Sequence, residues 1–173
     1  MFSGIRKEIG RLNILINNAG NASMNHSMLT PASTVKSLFD TNFLGTFLLS
    51  REGAKIIRKA RHGRIINFSS IAVPLRLEGE SIYASSKAAV IQLTETMAKE
   101  LAPFGITVNA IGLTPVYTSL IRTLPKEKIE NILKQQTIKR MGEISDIVNV
   151  IDFFTNESSD FITGQTIYLG GII

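Results

Sequence analysis

The order of short apolar runs and helical patterns constrains the fold of this chain more than any other feature of its sequence. Residues 12–16 form a short, almost wholly apolar run that stops at Asn-Asn-Ala-Gly, which predicts a strand buried on both faces. Further strands are predicted at 64–69, 106–111 and 166–169. Because helical patterns separate these runs, the sequence predicts an α/β fold in which a parallel sheet carries helices on both faces.

Helical patterns fill the intervals between the strands. Helices are predicted at 1–10, 31–60, 82–102, 126–136 and 144–154. Thr30 and Pro31 mark the start of the second one, since proline is favoured at the first helical position. Pro103 and Gly105 end the third. No repeat, linker or low-complexity stretch interrupts this order, so we predict a single domain over 1–173.

Composition excludes several kinds of site. The chain has no cysteine, which excludes disulfides, thiolate metal sites and a cysteine nucleophile. His26 and His62 have no partner at ligand spacing, so no metal site is predicted. No apolar run approaches the ~18 residues of a membrane span, and charged residues interrupt the first eleven positions, as a signal peptide would not. We therefore expect a cytoplasmic protein that does not enter a membrane.

The net charge of +5 has two interpretations. It could attract an acidic partner such as a phosphorylated cofactor, an acyl carrier protein or nucleic acid. It could equally reflect solvated lysine and arginine, and the basic cluster over 51–61 lies at the end of a predicted helix, where cations complement the helix dipole. No aromatic residues are interleaved with that cluster, so we expect no nucleic-acid partner.

Tyr83 and Lys87 are four residues apart in the predicted helix over 82–102. At this spacing side chains lie one above the other, with about 5–6 Å between their Cβ atoms. The ammonium would favour the phenolate and lower the pKa of the tyrosine from about 10, so that the phenol could donate or accept a proton. The alternative is an ordinary amphipathic pair on a helix surface.

Several motifs, taken in order, make the whole chain resemble the short-chain dehydrogenase/reductase family. Asn17–Gly20 is similar to the family's Asn-Asn-Ala-Gly after its fourth strand, and Asn42 lies at the family's asparagine position. Ser70 ends the next strand at the family's distance from the Tyr83-x-x-x-Lys87 signature. The loop 109–118 and the final strand with its two glycines also match. The 3-oxoacyl-acyl-carrier-protein reductase subgroup is the most similar.

The resemblance implies an oxidoreductase that uses NADP or NAD to reduce a ketone or 3-oxoacyl group, or to oxidise the matching alcohol. Ser70 would hydrogen-bond the substrate carbonyl, and Tyr83 would be the general acid or base. Lys87 would lower the pKa of the phenol and hold the nicotinamide ribose. Asn42 would position a water that links Lys87 to solvent.

The resemblance also implies where the cofactor lies. The backbone of Asn18, Ala19 and Gly20 would approach its adenosine side, since glycine tolerates close contact. Thr118 would reach the nicotinamide carboxamide, and Val116 would pack beside it or donate its backbone amide nearby. The substrate, a small carbonyl or alcohol or an acyl thioester, would lie between residues 71–81 and 118–137.

The chain departs from the family pattern in two places. Leu113 and Thr114 stand where the family usually has Pro-Gly. The strand, Gly-rich turn and helix with which the family begins have no counterpart in these 173 residues, so we expect a Rossmann-like sheet that lacks its first strands. That absence leaves open a second hypothesis, a non-catalytic remnant that acts as an oligomerisation or interaction module.

The resemblance further implies self-association. Family members commonly assemble through the helices that correspond to 31–60 and 82–102 and through the last strand. Both predicted helices carry more apolar positions than one core-facing stripe requires. We therefore expect a homo-oligomer, specifically a tetramer.

Overall fold

A parallel sheet is the frame of the computed structural model, which describes residues 2–118, 121 and 125–172. Its strands are β1 (Ile14–Asn17), β2 (Gly63–Ser70), β3 (Ile106–Leu113) and β4 (Thr166–Tyr168). They lie in the order β1-β2-β3-β4, and each neighbouring pair is parallel. The sheet predicted from the alternation of strands and helices is confirmed.

Helices connect these strands. They are α1 (Phe2–Gly4), α2 (Ala32–Phe39), α3 (Thr46–Ile57), α4 (Ala72–Leu75), α5 (Ser81–Leu101), α6 (Lys126–Gln135) and α7 (Ile144–Thr155). The continuous helix predicted over 31–60 is wrong in one respect, because a π-helical stretch, Asp40–Gly45, separates α2 from α3. Pro31 precedes α2 as its N-cap instead of being its first residue. A second π-helical stretch, Ile5–Ile9, follows α1.

The two faces of the sheet are covered by different helices. Ile65 lies in a buried cluster with Ala54 of α3 and Met97 of α5. Its neighbour Ile66 lies in another buried cluster with Phe154 of α7. Because successive strand residues point to opposite faces, the two clusters are on opposite sides of the sheet. The prediction of helices on both faces is confirmed.

β1 forms an edge of the sheet. The strand starts and ends later than predicted, at Ile14 and Asn17. Ile14 and Ile16 are 43% and 41% exposed, so the prediction that this strand is buried on both faces is wrong. Both side chains point to the face opposite Leu15, and neither belongs to the buried cluster on that face. In the part of the chain that the structure describes, β1 also pairs with β2 and with no strand on its other side. An apolar edge with free backbone groups results.

Two kinds of feature are absent from the described residues, a membrane-spanning helix and a cluster of metal-ligating side chains. None of the helices within residues 2–118, 121 and 125–172 is long and apolar enough to cross a membrane. The same residues contain no group of three or more histidine, aspartate and glutamate side chains that could hold a metal ion.

Candidate active site

Two of the predicted catalytic residues meet at the carboxyl ends of the strands. Ser70 is the last residue of β2, and Tyr83 lies in the first turn of α5. Both side chains line a cavity of about 540 Å³. In open parallel sheets ligands bind at the carboxyl ends of the strands, so the cavity lies where a substrate is expected.

The predicted cofactor residues lie around the same cavity. Asn18, Val116 and Thr118 contribute to its wall. Ala19 and Gly20 follow Asn18 in the exposed segment after β1. The structure thus places the segments that follow β1, β2 and β3 around one space.

The cavity also contains both segments predicted to surround the substrate. Ile71, Leu77 and Glu80 come from the first of them, and Ile121 and Ile132 come from the second. Residues 119–120 and 122–124 of the second segment lie outside the described residues. Most of the named side chains are apolar, while Glu80 brings a carboxyl group to the wall beside Tyr83.

The Tyr83 phenol differs from the expectation based on spacing. Burial raises its pKa above the ordinary value, the Ser70 hydroxyl lowers it, and the Glu80 carboxylate raises it. The prediction that Lys87 lowers the tyrosine pKa is therefore wrong for this arrangement, because desolvation outweighs the other influences. A phenol with a raised pKa stays protonated at neutral pH and suits the role of proton donor.

Lys87 is buried one turn further along α5. Its Nζ donates a hydrogen bond of 3.0 Å to the Phe68 carbonyl oxygen, and burial lowers its pKa to about 8. Gly20 lies close to the ammonium, since a Cβ built at Gly20 would be 3.3 Å from Nζ and 3.4 Å from Oδ1 of Asn42. A side chain at position 20 would therefore crowd both groups.

Asn42 connects the segment after β1 to α5. It is fully buried in the π-helical stretch Asp40–Gly45. Its Oδ1 accepts from the Asn21 backbone N–H at 2.8 Å, and its Nδ2 donates to the Asn21 carbonyl at 2.9 Å and to Ser86 Oγ at 3.0 Å. Its own carbonyl accepts from Thr46 Oγ1 at 2.8 Å. Protein groups thus engage the side chain, and the predicted water relay stays a prediction.

The end of β2 is fixed by hydrogen bonds to its surroundings. Ser70 Oγ accepts from the backbone N–H of Ala72 at 3.1 Å, and its own O–H is the donor that lowers the pKa of the Tyr83 phenol. Ser69 Oγ donates to the Lys87 carbonyl at 3.1 Å. The first bond fixes the position of the Ser70 hydroxyl, and the second fixes the end of β2 against α5.

A buried polar network beneath the site was missed by the sequence analysis. Asn17 Nδ2 donates to Asn67 Oδ1 and to Ser50 Oγ, each at 2.8 Å, and Asn67 Nδ2 donates to Thr94 Oγ1 at 2.9 Å. The network joins β1 and β2 to helices α3 and α5. Its signal was an asparagine within an otherwise apolar strand, Arg-Ile-Ile-Asn-Phe, where only a hydrogen-bonded polar group is tolerated.

Comparisons with known proteins agree on the family. The family model described as Enoyl-(Acyl carrier protein) reductase matches residues 1–171. The 3-oxoacyl-(acyl-carrier-protein) reductase FabG of Staphylococcus epidermidis is 34% identical over 171 residues, which are 99% of this chain and 70% of the relative. The protein of the same name from Escherichia coli is 33% identical over 167 residues, 96% of this chain and 68% of the relative.

A solved structure shows the same fold. The crystal structure of an NAD⁺-bound xylitol dehydrogenase matches with a TM-score of 0.89 at 26% identity, over 98% of this chain and 72% of that one. The chain spans about 70% of the length of the curated relative from S. epidermidis. The family model and the relatives match nearly all of the chain, and the parallel order of the strands agrees with them. The chain belongs to the short-chain dehydrogenase/reductase family of oxidoreductases.

Proposed function

We propose that this chain carries the catalytic half of an NAD(P)-dependent reductase that acts on a ketone or a 3-oxoacyl thioester. The observation that carries the proposal is the convergence of Ser70 and Tyr83 on one cavity, with the buried Lys87 ammonium behind them. Ser70 would donate its O–H to the substrate carbonyl oxygen. Tyr83 would give a proton to that oxygen as it becomes an alkoxide.

The residues present fit the nicotinamide part of a dinucleotide. Lys87 Nζ has three donors, and the hydrogen bond to Phe68 accounts for one of them. The missing side chain of Gly20 leaves room beside that ammonium. Lys87 would hold the ribose hydroxyls, while Val116 and Thr118 would hold the nicotinamide. The bound dinucleotide supplies the hydride, and the reverse reaction returns it.

The lining of the cavity favours a substrate with an apolar portion next to its carbonyl. Ile71, Leu77, Ile121 and Ile132 would pack against such a portion and exclude water from it. This agrees with a 3-oxoacyl substrate, although the wall also includes the Glu80 carboxyl. Either NADPH or NADH could serve, so both belong in the test.

The experiment needs a protein that can anchor the pyrophosphate of the cofactor. The extended enzyme joins residues 1–173 to the whole part of the S. epidermidis reductase that precedes its match to this chain, including the strand, Gly-rich turn and helix with which the family begins. Tyr83→Phe should lower its kcat at least ~10²-fold because it removes the proton donor. Tyr168→Phe is the matched control, since Tyr168 lies on β4 and outside the cavity. Equal turnover of the two variants, with chemistry limiting the rate, would refute the assignment.

The apolar edge of β1 favours a second candidate, an interaction module without catalysis. In that case Ser70, Tyr83 and Lys87 would be structural residues, and Lys87→Ala in the extended enzyme would leave the Kd of NADH and NADPH unchanged. Titration of the wild type and this variant with both cofactors, followed by cofactor fluorescence, separates the two candidates.

A further inference from the structure

The loop that follows β3 is held by a buried pair of polar side chains. Thr114, which stands at a position where the family usually has glycine, donates its hydroxyl to Oε1 of Gln136. Thr114 is 6% exposed and Gln136 is 1% exposed. Such a pair forms a strong constraint, because a buried polar group without its partner costs about 1–3 kcal/mol.

Gln136 is in turn anchored by the backbone of its own segment. Its Nε2 donates to the carbonyls of Ile138 and Arg140, both at 3.0 Å. The carboxamide therefore uses both of its N–H donors and accepts the Thr114 hydroxyl. A buried network in which each member is satisfied specifies a single arrangement.

Two glycines leave space for this pair. A Cβ at Gly142 would lie 2.7 Å from Cγ2 of Thr114, and a Cβ at Gly170 would lie 3.0 Å from Cδ of Gln136. Gly142 also donates its backbone N–H to the Pro115 carbonyl at 2.9 Å. The two side chains are thus packed between Gly142 and Gly170. The hydrogen bond from Gly142 to Pro115 can serve as a measure of whether the loop keeps its position.

We propose that Thr114 and Gln136 are positioning residues that hold the loop 113–118 in the shape that receives the nicotinamide. The inference rests on the proposed function, since Val116 and Thr118 on this loop are the residues assigned to the nicotinamide. A buried side-chain hydrogen bond thus fixes the first residues of the loop. Neither residue touches the reacting atoms.

The first test compares two ligands on the extended enzyme. One is NADH or NADPH, whichever the wild type binds more tightly, and the other is the matching ADP-ribose or 2′-phospho-ADP-ribose, which lacks the nicotinamide. Thr114→Val should raise the Kd of the reduced dinucleotide about 10-fold, the equivalent of one lost buried hydrogen bond, and leave the Kd of the shorter ligand within about twofold. Thr114→Ser keeps the hydroxyl and should restore binding.

A merely structural role would give a different result. It would weaken both ligands equally or lower stability without changing the ratio of the two Kd values, and either outcome overturns the inference. Thr107→Val is the matched control, because Thr107 lies on β3, the strand that leads into the loop, is as buried as Thr114, and has a hydroxyl without a hydrogen-bond partner among the described residues. This control should leave the ratio unchanged.

A second measurement needs no cofactor. Hydrogen exchange of the Gly142 amide, whose acceptor is Pro115 on the loop, should become at least about 10-fold faster in Thr114→Val and in Gln136→Leu. The internal reference is the amide of Val108 on β3, which donates to Thr163 Oγ1 at 3.0 Å. Its exchange rate should not change. Unchanged exchange at Gly142 refutes the inference. If the wild type binds no dinucleotide, the proposed function is refuted. The exchange measurement then still decides whether Thr114 and Gln136 hold the loop.

Discussion

The buried ammonium of Lys87 should make the stability of the protein depend on pH in a way that a single variant reveals. Burial lowers the pKa of Lys87 from 10.5 to about 8. The folded state therefore binds the proton more weakly than the unfolded chain, and the charged lysine destabilises the fold at neutral pH. A pKa difference of this size corresponds to roughly 3 kcal/mol at pH 7 and about 1 kcal/mol at pH 10.

The sign follows from proton binding. Between the folded pKa of about 8 and the unfolded value of 10.5, the unfolded chain carries more protons, so the contribution of Lys87 to stability rises with pH. Lys87→Met removes the charge and keeps a side chain of similar length. The variant also loses the hydrogen bond to the Phe68 carbonyl, but this loss is nearly independent of pH because a neutral amine can donate as well.

The assay is urea unfolding of the extended enzyme, wild type and Lys87→Met, at pH 7 and at pH 10. The free energy of unfolding of the variant minus that of the wild type should fall by about 2–3 kcal/mol between the two pH values. Lys99→Met, at an exposed position of the same helix, is the control and should show less than about 0.5 kcal/mol of change. A difference for Lys87→Met that stays constant with pH would show that Lys87 is not held in a desolvating environment.

Three further predictions address packing and assembly. Asp160→Ala should lower the free energy of unfolding by about 1–3 kcal/mol, because it leaves the buried Arg64 guanidinium without its counter-charge, and Arg64→Met should lower it by less, as denaturant unfolding would measure. The extended enzyme should be a homo-oligomer, a tetramer by light scattering at micromolar concentration, and Leu44→Glu with Leu48→Glu should dissociate it, because both leucines are exposed on one helical surface. The 173-residue chain alone should aggregate and bind no dinucleotide usefully; a discrete species in size-exclusion chromatography that binds NADPH or NADH at micromolar affinity would contradict this.

The sequence predicted the parts of the fold that depend on local pattern. β2 lies where an apolar run ends in two serines, β3 lies in the largely apolar stretch between Gly105 and Pro115, and α5 lies where the apolar spacing is helical. The position of Tyr83 in the first turn of that helix, and of Ser70 at the end of β2, follows from these boundaries. The convergence of Ser70 and Tyr83 is then a consequence of the parallel order.

The failures concern properties that depend on neighbours distant in the chain. An apolar run predicts that Ile14 and Ile16 prefer burial, but whether a helix covers their face of the sheet cannot be read from the run itself. The spacing of Tyr83 and Lys87 fixes their Cα positions, while the direction of the lysine side chain depends on the Phe68 carbonyl of another element. The Thr114–Gln136 pair joins residues 22 positions apart, and neither has a sequence pattern that names the other.

The π-helical stretch Asp40–Gly45 has a consequence for which changes of length this region tolerates. An α-helix turns by about 100° for each residue, so the deletion of one residue from this stretch would convert it to ordinary helix and rotate everything before it by that angle. Leu38, which is buried on the core side of α2, would then face a different direction from Asn42 and Thr46, whose positions α3 fixes. Point substitutions at exposed sites such as Asp40 and Leu44 leave this relation intact. For the fold of this segment, as distinct from its assembly with other copies, the number of residues therefore matters more than the identity of the exposed ones.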